Sequence, residues 1–98
     1  MTDECTATAS VQVDNEQVRV TKWDFPPGTQ TGLHTHEYDY IVVPISAGTL
    51  TVHTAEGNFD NVLTPGMTYQ RAAKTTHNVV NETEAPCSFV EIELKPGP

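Results

Sequence analysis

The stretch GLHTHEYDYIVVPISAG, residues 32–48, sets His34 and His36 one residue apart at the head of an apolar run. On an extended strand alternate side chains point to one face. Two imidazoles then project side by side, which suits adjacent positions on one metal ion, and imidazole is the commonest side chain in such sites. A surface strand rich in threonine and histidine produces the same spacing by chance, so the pair alone does not decide. Two more histidines are available. His77 opens HNVVN and shares a face with Val79 and Asn81. His53 lies in TLTVHTAEG opposite Leu50 and Val52, so it points outward if those two face the core.

The elements that must position these side chains are short. Proline and glycine punctuate the chain at 26–28, 44, 48, 57, 65–66, 86 and 96–98. Between them lie β-forming runs at 17–25, 38–45, 49–57, 59–66, 67–71, 77–81 and 87–94. In the last, CSFVEIEL, Val90, Ile92 and Leu94 share one face and Phe89, Glu91 and Glu93 the other. About seven short strands with turns between them and no helix predict an antiparallel β-sandwich or barrel. YIVVPI is apolar on both parities, so one face is expected to line the barrel and the other to meet a second subunit. Trp23 and Phe25 are expected in the core or in that interface.

Composition narrows the function. The chain has 98 residues, a single domain over 1–98, with 1–10 read as a loose N-terminal segment and KPGP as a frayed tail. Thirteen acids against five bases give a net charge of −8. Scattered Lys and Arg do not make a phosphate-binding surface, so nucleic acid is excluded as a partner. No apolar run reaches the roughly 20 residues that span a bilayer, and MTDECTATAS lacks the basic start and apolar centre of a secretory signal. A cytoplasmic protein is expected, with Cys5 and Cys87 as free thiols.

Two spacings join the histidines. The first reads Gly28-TQTGL-His34-Thr-His36-EYDY-Ile41-VVPISA-Gly48, and the second Gly66-MTYQR-Ala72-Ala-Lys74-TT-His77-NVV-Asn81. They resemble the two motifs of the cupins, G-x5-H-x-H-x3,4-E-x6-G and G-x5-7-P-x-G-x2-H-x3-N. The resemblance covers more than half of the chain. It departs where the glutamate falls on Ile41 and where proline and glycine become Ala72 and Lys74. HEYDYIVVP, HNVVN and FVEIEL are similar to a group of short bacterial cupins labelled as β-alanine degradation proteins.

This resemblance implies a small antiparallel double-stranded β-helix, the jelly-roll barrel of cupins, often a homodimer. It implies His34, His36 and His77 as ligands of a divalent metal, iron first, with zinc and nickel as alternatives. Asn81 would be a supporting polar group. Three imidazoles with open positions suit a catalytic ion better than a structural one. Tyr38 and Tyr40 share parity with the histidine pair and are candidates to face the same cavity, unless a bulge flips them. Tyr40, beside the missing acid, is a candidate for substrate binding and proton donation; an aromatic core residue is the alternative. Glu37 and Asp39 are expected in solvent. Arg71, sharing parity with Tyr69, could pair with a substrate carboxylate, or make a surface ion pair. The expected function is a metal-dependent, dioxygenase-like enzyme acting on a small organic molecule. The alternative is a non-catalytic module that binds a small molecule or a metal.

Overall fold

The computed structural model describes residues 6–96. Among them are nine strands and no helix: β1 Thr8–Asp14, β2 Val18–Phe25, β3 His34–Thr35, β4 Asp39–Pro44, β5 Gly48–Thr54, β6 Gly57–Leu63, β7 Tyr69–Arg71, β8 Thr76–Val80 and β9 Cys87–Leu94. No helix here is long and apolar enough to cross a membrane. Two antiparallel sheets face one another, in strand order β1-β2-β9-β4-β7 and β3-β8-β5-β6. The all-β expectation holds.

The strand read at 87–94 is observed as β9, and the N-terminal segment read as loose needs correction. Thr8–Ser10 are not loose; they belong to β1, which pairs with β2 from Thr8↔Asp24 to Asp14↔Arg19. Residues 1–5, with Cys5, lie outside the described part, as do residues 97–98 of the tail. β1 is an edge strand whose residues are all exposed, so it carries no inward apolar face to betray it. What closes its hairpin is the side chain of Asn15, whose Oδ1 accepts the amides of Gln17 and Val18 at 2.8 and 3.0 Å.

The core sits between the sheets. Phe25, Tyr40, Val42, Leu50, Leu63, Val79 and Phe89 are all buried there, and the Phe25 and Phe89 rings stack 5.6 Å apart. β9 is the central strand of its sheet, flanked by β2 and β4, and its burial alternates strictly. Its inward face is Cys87, Phe89, Glu91 and Glu93. The apolar set Val90, Ile92 and Leu94 faces away, beside Val20 on β2 and Ile41 and Val43 on β4. This outer face is half-buried by its own neighbours and is covered by no other described element.

The motif glycines have distinct steric reasons. Gly28 and Gly66 sit at φ +81°, where a side chain is strained. Gly48 has an ordinary φ, but a Cβ there would meet the Cys87 Cβ at 3.1 Å, so β5 can cross β9 closely only without one. Lys74, at the motif's second glycine, keeps the left-handed backbone, with φ 69°. A residue with a side chain thus holds a glycine-type conformation in the turn before His77.

Candidate metal centre

Three local structures bring the imidazoles together. His34 and His77 are direct cross-strand partners on β3 and β8. His36 lies one residue beyond β3, fixed by its amide donating to Thr75 O at 3.0 Å and its carbonyl accepting from the Lys74 amide at 2.7 Å. The rings meet edge to face, with interplanar angles of 74°, 70° and 89°. Their Nε2 atoms converge: His34 to His36 is 3.2 Å, and His36 to His77 is 3.2 Å. Metal–nitrogen bonds of ~2.0–2.1 Å, spread between right angles and tetrahedral, set ligand nitrogens roughly 2.9–3.4 Å apart. The observed spacing falls in that range.

The donor chemistry agrees. His34 Nδ1–H donates to Gly32 O at 2.8 Å, which leaves its Nε2 as a lone pair. Burial, and then the neighbouring imidazoles, hold His36 and His77 down at about 4, with Arg71 adding to the effect at His77. At neutral pH these rings are unprotonated, and clustered lone pairs are what a divalent cation relieves.

Tyr40 packs its ring on His36, centroids 3.9 Å apart, and is 3 % exposed. Burial, then the charge of Glu91, pushes its phenol well above the usual range, so it stays protonated. Ile41, to which the motif spacing assigns the missing glutamate, points to the outer face opposite Ile92. The inward place in that part of β4 belongs to Tyr40. Tyr38 does not join it. The chain bends at 37–38, between β3 and β4, and Tyr38 is half-buried and not among the cavity walls. It stands instead over Arg19, whose guanidinium carbon is 6.0 Å from the ring. Asp39 is exposed yet accepts the Ala73 amide at 2.7 Å. His53, opposite Asn78 on the neighbouring strand, is not in the cluster and pairs with Glu82 at 3.0 Å.

His34 and His77 line a cavity of about 390 Å³ between the sheets, within the usual range for small-molecule sites. Tyr40, Val42, Leu50, Val79, Trp23 and Arg71 are among its walls. Arg71 is exposed at the rim, its guanidinium 4.4 Å from the Tyr69 ring, and burial raises the Tyr69 phenol.

Two acids join this interior from β9. Glu93 is buried and held by Arg19 in a two-point pair at 2.7 and 3.2 Å. Glu91 lines the cavity, 3.8 Å from His36 Nε2, with Trp23 on the same wall. Burial, then the Glu93 charge, raises it to about 7. His36, Glu91 and Glu93 form a second set whose ligand atoms lie within 4.8 Å of one another, sharing His36 with the histidine triad. Sequence parity put both acids on one face of CSFVEIEL. The face with three aliphatic residues reads as the core by hydropathy, and only apolar residues on both parities of the strand hint otherwise.

Asn81 is fully buried below this centre. Its Nδ2 donates to Phe25 O at 2.9 Å and Ala85 O at 2.8 Å, and its Oδ1 accepts from the Thr83 amide and hydroxyl at 3.0 and 2.7 Å. Cys87 is a free, buried thiol, and burial raises its pKa, which makes it a poor nucleophile.

Comparison with known proteins places this geometry among relatives. The Cupin_2 family, described as a cupin domain, matches residues 21–93. The β-alanine degradation protein BauB of Pseudomonas aeruginosa is 47% identical over 89 residues, spanning 91% of this chain and 94% of that protein. A cupin domain from Bordetella pertussis superposes with a TM-score of 0.90 at 47% identity, covering 93% of this chain and 95% of the other. A cupin family protein with a double-stranded β-helix fold from Methanocaldococcus jannaschii shares the fold at 15% identity, with a TM-score of 0.78 over 93% of this chain and 82% of that one.

Proposed function

The chain belongs to the cupin family, and on that premise we propose that it is a metal-dependent enzyme acting on a small organic molecule, with dioxygenase-type oxidation as its leading chemistry. The observation that carries this reading is the convergence of three Nε2 atoms, at 3.2 Å along two edges, on a cavity of ligand size. The name of the Pseudomonas aeruginosa relative supports a role in β-alanine degradation.

His34, His36 and His77 would hold the ion; iron there would supply redox chemistry with O₂, and zinc or nickel Lewis acidity. The chain's own residues do the rest. Val42, Leu50 and Val79 exclude water from the cavity. Tyr40, kept protonated by burial, is a hydrogen-bond and proton donor beside His36. Glu91, raised to about 7, can take up or return a proton near neutrality. Arg71 offers a planar fork to a carboxylate. The apolar outer face of Val20, Ile41, Val43, Val90 and Ile92 suits a homodimer, and a cytoplasmic location belongs to the same proposal.

Metal analysis tests the reading. The expected result is near one divalent ion per chain after purification without chelator, lost in His34→Ala, His36→Ala and His77→Ala. Oxygen uptake by the iron-loaded chain should follow the same pattern. No bound metal, and no thermal shift on adding iron, zinc or nickel, would leave a non-catalytic binding module.

A further inference from the structure

The acids of β9 are not equivalent. Glu93 and Glu91 point into the same interior, two residues apart, and both are nine-tenths buried. Glu93 has a guanidinium in contact on two atoms. Glu91 has no cationic partner: Arg19 is committed to Glu93, and His36, 3.8 Å away, is neutral. It is also outside the triad's own set, because it does not lie within 4.8 Å of all three histidine ligand atoms. A buried carboxylate is ordinarily paired or bound to metal, since desolvation penalises its charge. Glu91 instead faces the cavity, between the indole of Trp23 and the phenol of Tyr40.

The opposite charge stands across the same sheet. Arg71 lines the cavity from β7, stacked over Tyr69, and donates to Gln70 O at 3.3 Å. It makes no ion pair among the described residues. The register fixes the separation. Arg71 is opposite Tyr40, and Glu91 is opposite Val42, on the two strands that flank β4. Two strand spacings across and two residues along put their Cα atoms about 12 Å apart. The phenol of Tyr40 feels both charges, Glu91 and Arg71 acting on it with opposite sign. Glu56, at the turn between β5 and β6, also borders the cavity but is exposed.

We propose that this cavity reads a small zwitterion by its two ends, with Glu91 receiving an ammonium group and Arg71 a carboxylate. It rests on the reading of the cavity as the substrate site. A Cα separation of about 12 Å favours a ligand with its charges at the two ends of a carbon chain over an α-amino acid, whose charges are adjacent. An ω-amino acid, with its charges at opposite ends of the carbon chain, matches. The aromatic walls of Trp23 and Tyr40 favour the cationic end at Glu91. Glu91 is buried, so an analogue that leaves it unpaired is strongly disfavoured, and the contact at the exposed Arg71 discriminates less.

Calorimetric titration of the full chain, zinc-loaded and metal-free, with 3-aminopropanoate, propanoate, propylamine and 2-aminopropanoate tests this. The wild type should bind 3-aminopropanoate at least about tenfold more tightly than the other three. Glu91→Gln should lose about tenfold for 3-aminopropanoate and propylamine and keep propanoate within about twofold. Arg71→Gln, at an exposed position, should weaken 3-aminopropanoate and propanoate and keep propylamine within about twofold. An unchanged affinity of Glu91→Gln for 3-aminopropanoate overturns the proposal, as does equal binding of 2-aminopropanoate or no binding of any probe. The metal reading is scored separately by zinc stoichiometry in the same titrations. If zinc does not bind, the enzyme reading falls, and the metal-free titrations still decide the charge pairing.

Discussion

Asn81→Ala tests whether the motif's asparagine acts on the fold or on the metal. Its side chain makes four hydrogen bonds, two given and two received. The inner contact is the costly one. Phe25 is 1 % exposed, so its carbonyl would have no water to replace the amide. An orphaned buried acceptor costs about 1–3 kcal/mol, whereas the Thr83 donors sit in an exposed loop and would lose only about 0.5 kcal/mol each. With the lost packing of a fully buried side chain, the sum is about 3–5 kcal/mol. For a domain of this size that lowers Tm by roughly 12–24 °C at the lower bound. Equilibrium urea unfolding followed by Trp23 fluorescence measures it. Asn81→Asp is the sharper variant. It keeps the shape, removes both donors and aims a charge at the Phe25 and Ala85 carbonyls, so it should be at least as unstable. In both variants the folded fraction should still bind one metal ion, because Asn81 touches none of the three imidazoles. A loss under about 1 kcal/mol, or a folded variant that binds no metal, would refute this reasoning.

Lys74→Gly should raise stability by about 0.5–1 kcal/mol, because Lys74 holds φ 69° and only glycine adopts that without strain; a lower Tm than the wild type would count against it. Arg19→Met should destabilise by about 2–3 kcal/mol by leaving Glu93 buried without its cation, and Arg19→Met with Glu93→Met should recover most of this in denaturant unfolding. The metal-free chain should lose stability on acidification. His36 and His77 are held at about 4 when folded and return to the ordinary 6.5 when unfolded, so the unfolded chain takes protons first as pH falls from about 6.5 to 4. Melting temperatures that rise over that interval would contradict the burial of neutral imidazoles. Glu91→Met should carry the opposite signature. The raised Glu91 destabilises the fold above about pH 7 and not below about 4.5, so the variant should gain on the order of 1–3 kcal/mol at pH 8 and nothing near pH 4.5. A variant less stable than wild type at pH 8 would mean that the carboxylate is favourably engaged in the fold.

Strand-forming runs, turn residues and the histidine spacings were legible because each is a local signal. The His34–His77 pairing is carried by β3 and β8, whose turns are marked by glycine and by a lysine forced into a glycine's conformation. What local signals miss depends on register. β1 has no buried face, so period-two hydropathy has nothing to report along it. Tyr38 and Tyr40 look equivalent by parity, yet the first stands against Arg19 outside the cavity wall and the second packs on His36. Counting along the motif sets the missing acid at Ile41, but counting cannot tell which of two adjacent residues turns inward.

The same logic explains why the interior acids were hidden. Judged by side-chain type, β9 should bury Val90, Ile92 and Leu94 and expose its glutamates. Slipping the strand by one residue would do so, but it would expel Phe89 from its stack on Phe25 and part Glu93 from Arg19. The larger aromatic and the ion pair therefore fix the register, and Glu91 is carried into the cavity with them. Its position is a stability cost that the fold could remove by an apolar substitution without altering any strand. The first motif lacks its carboxylate at Ile41, while β9 brings Glu91, without a cationic partner, to a wall of the cavity beside the three histidines.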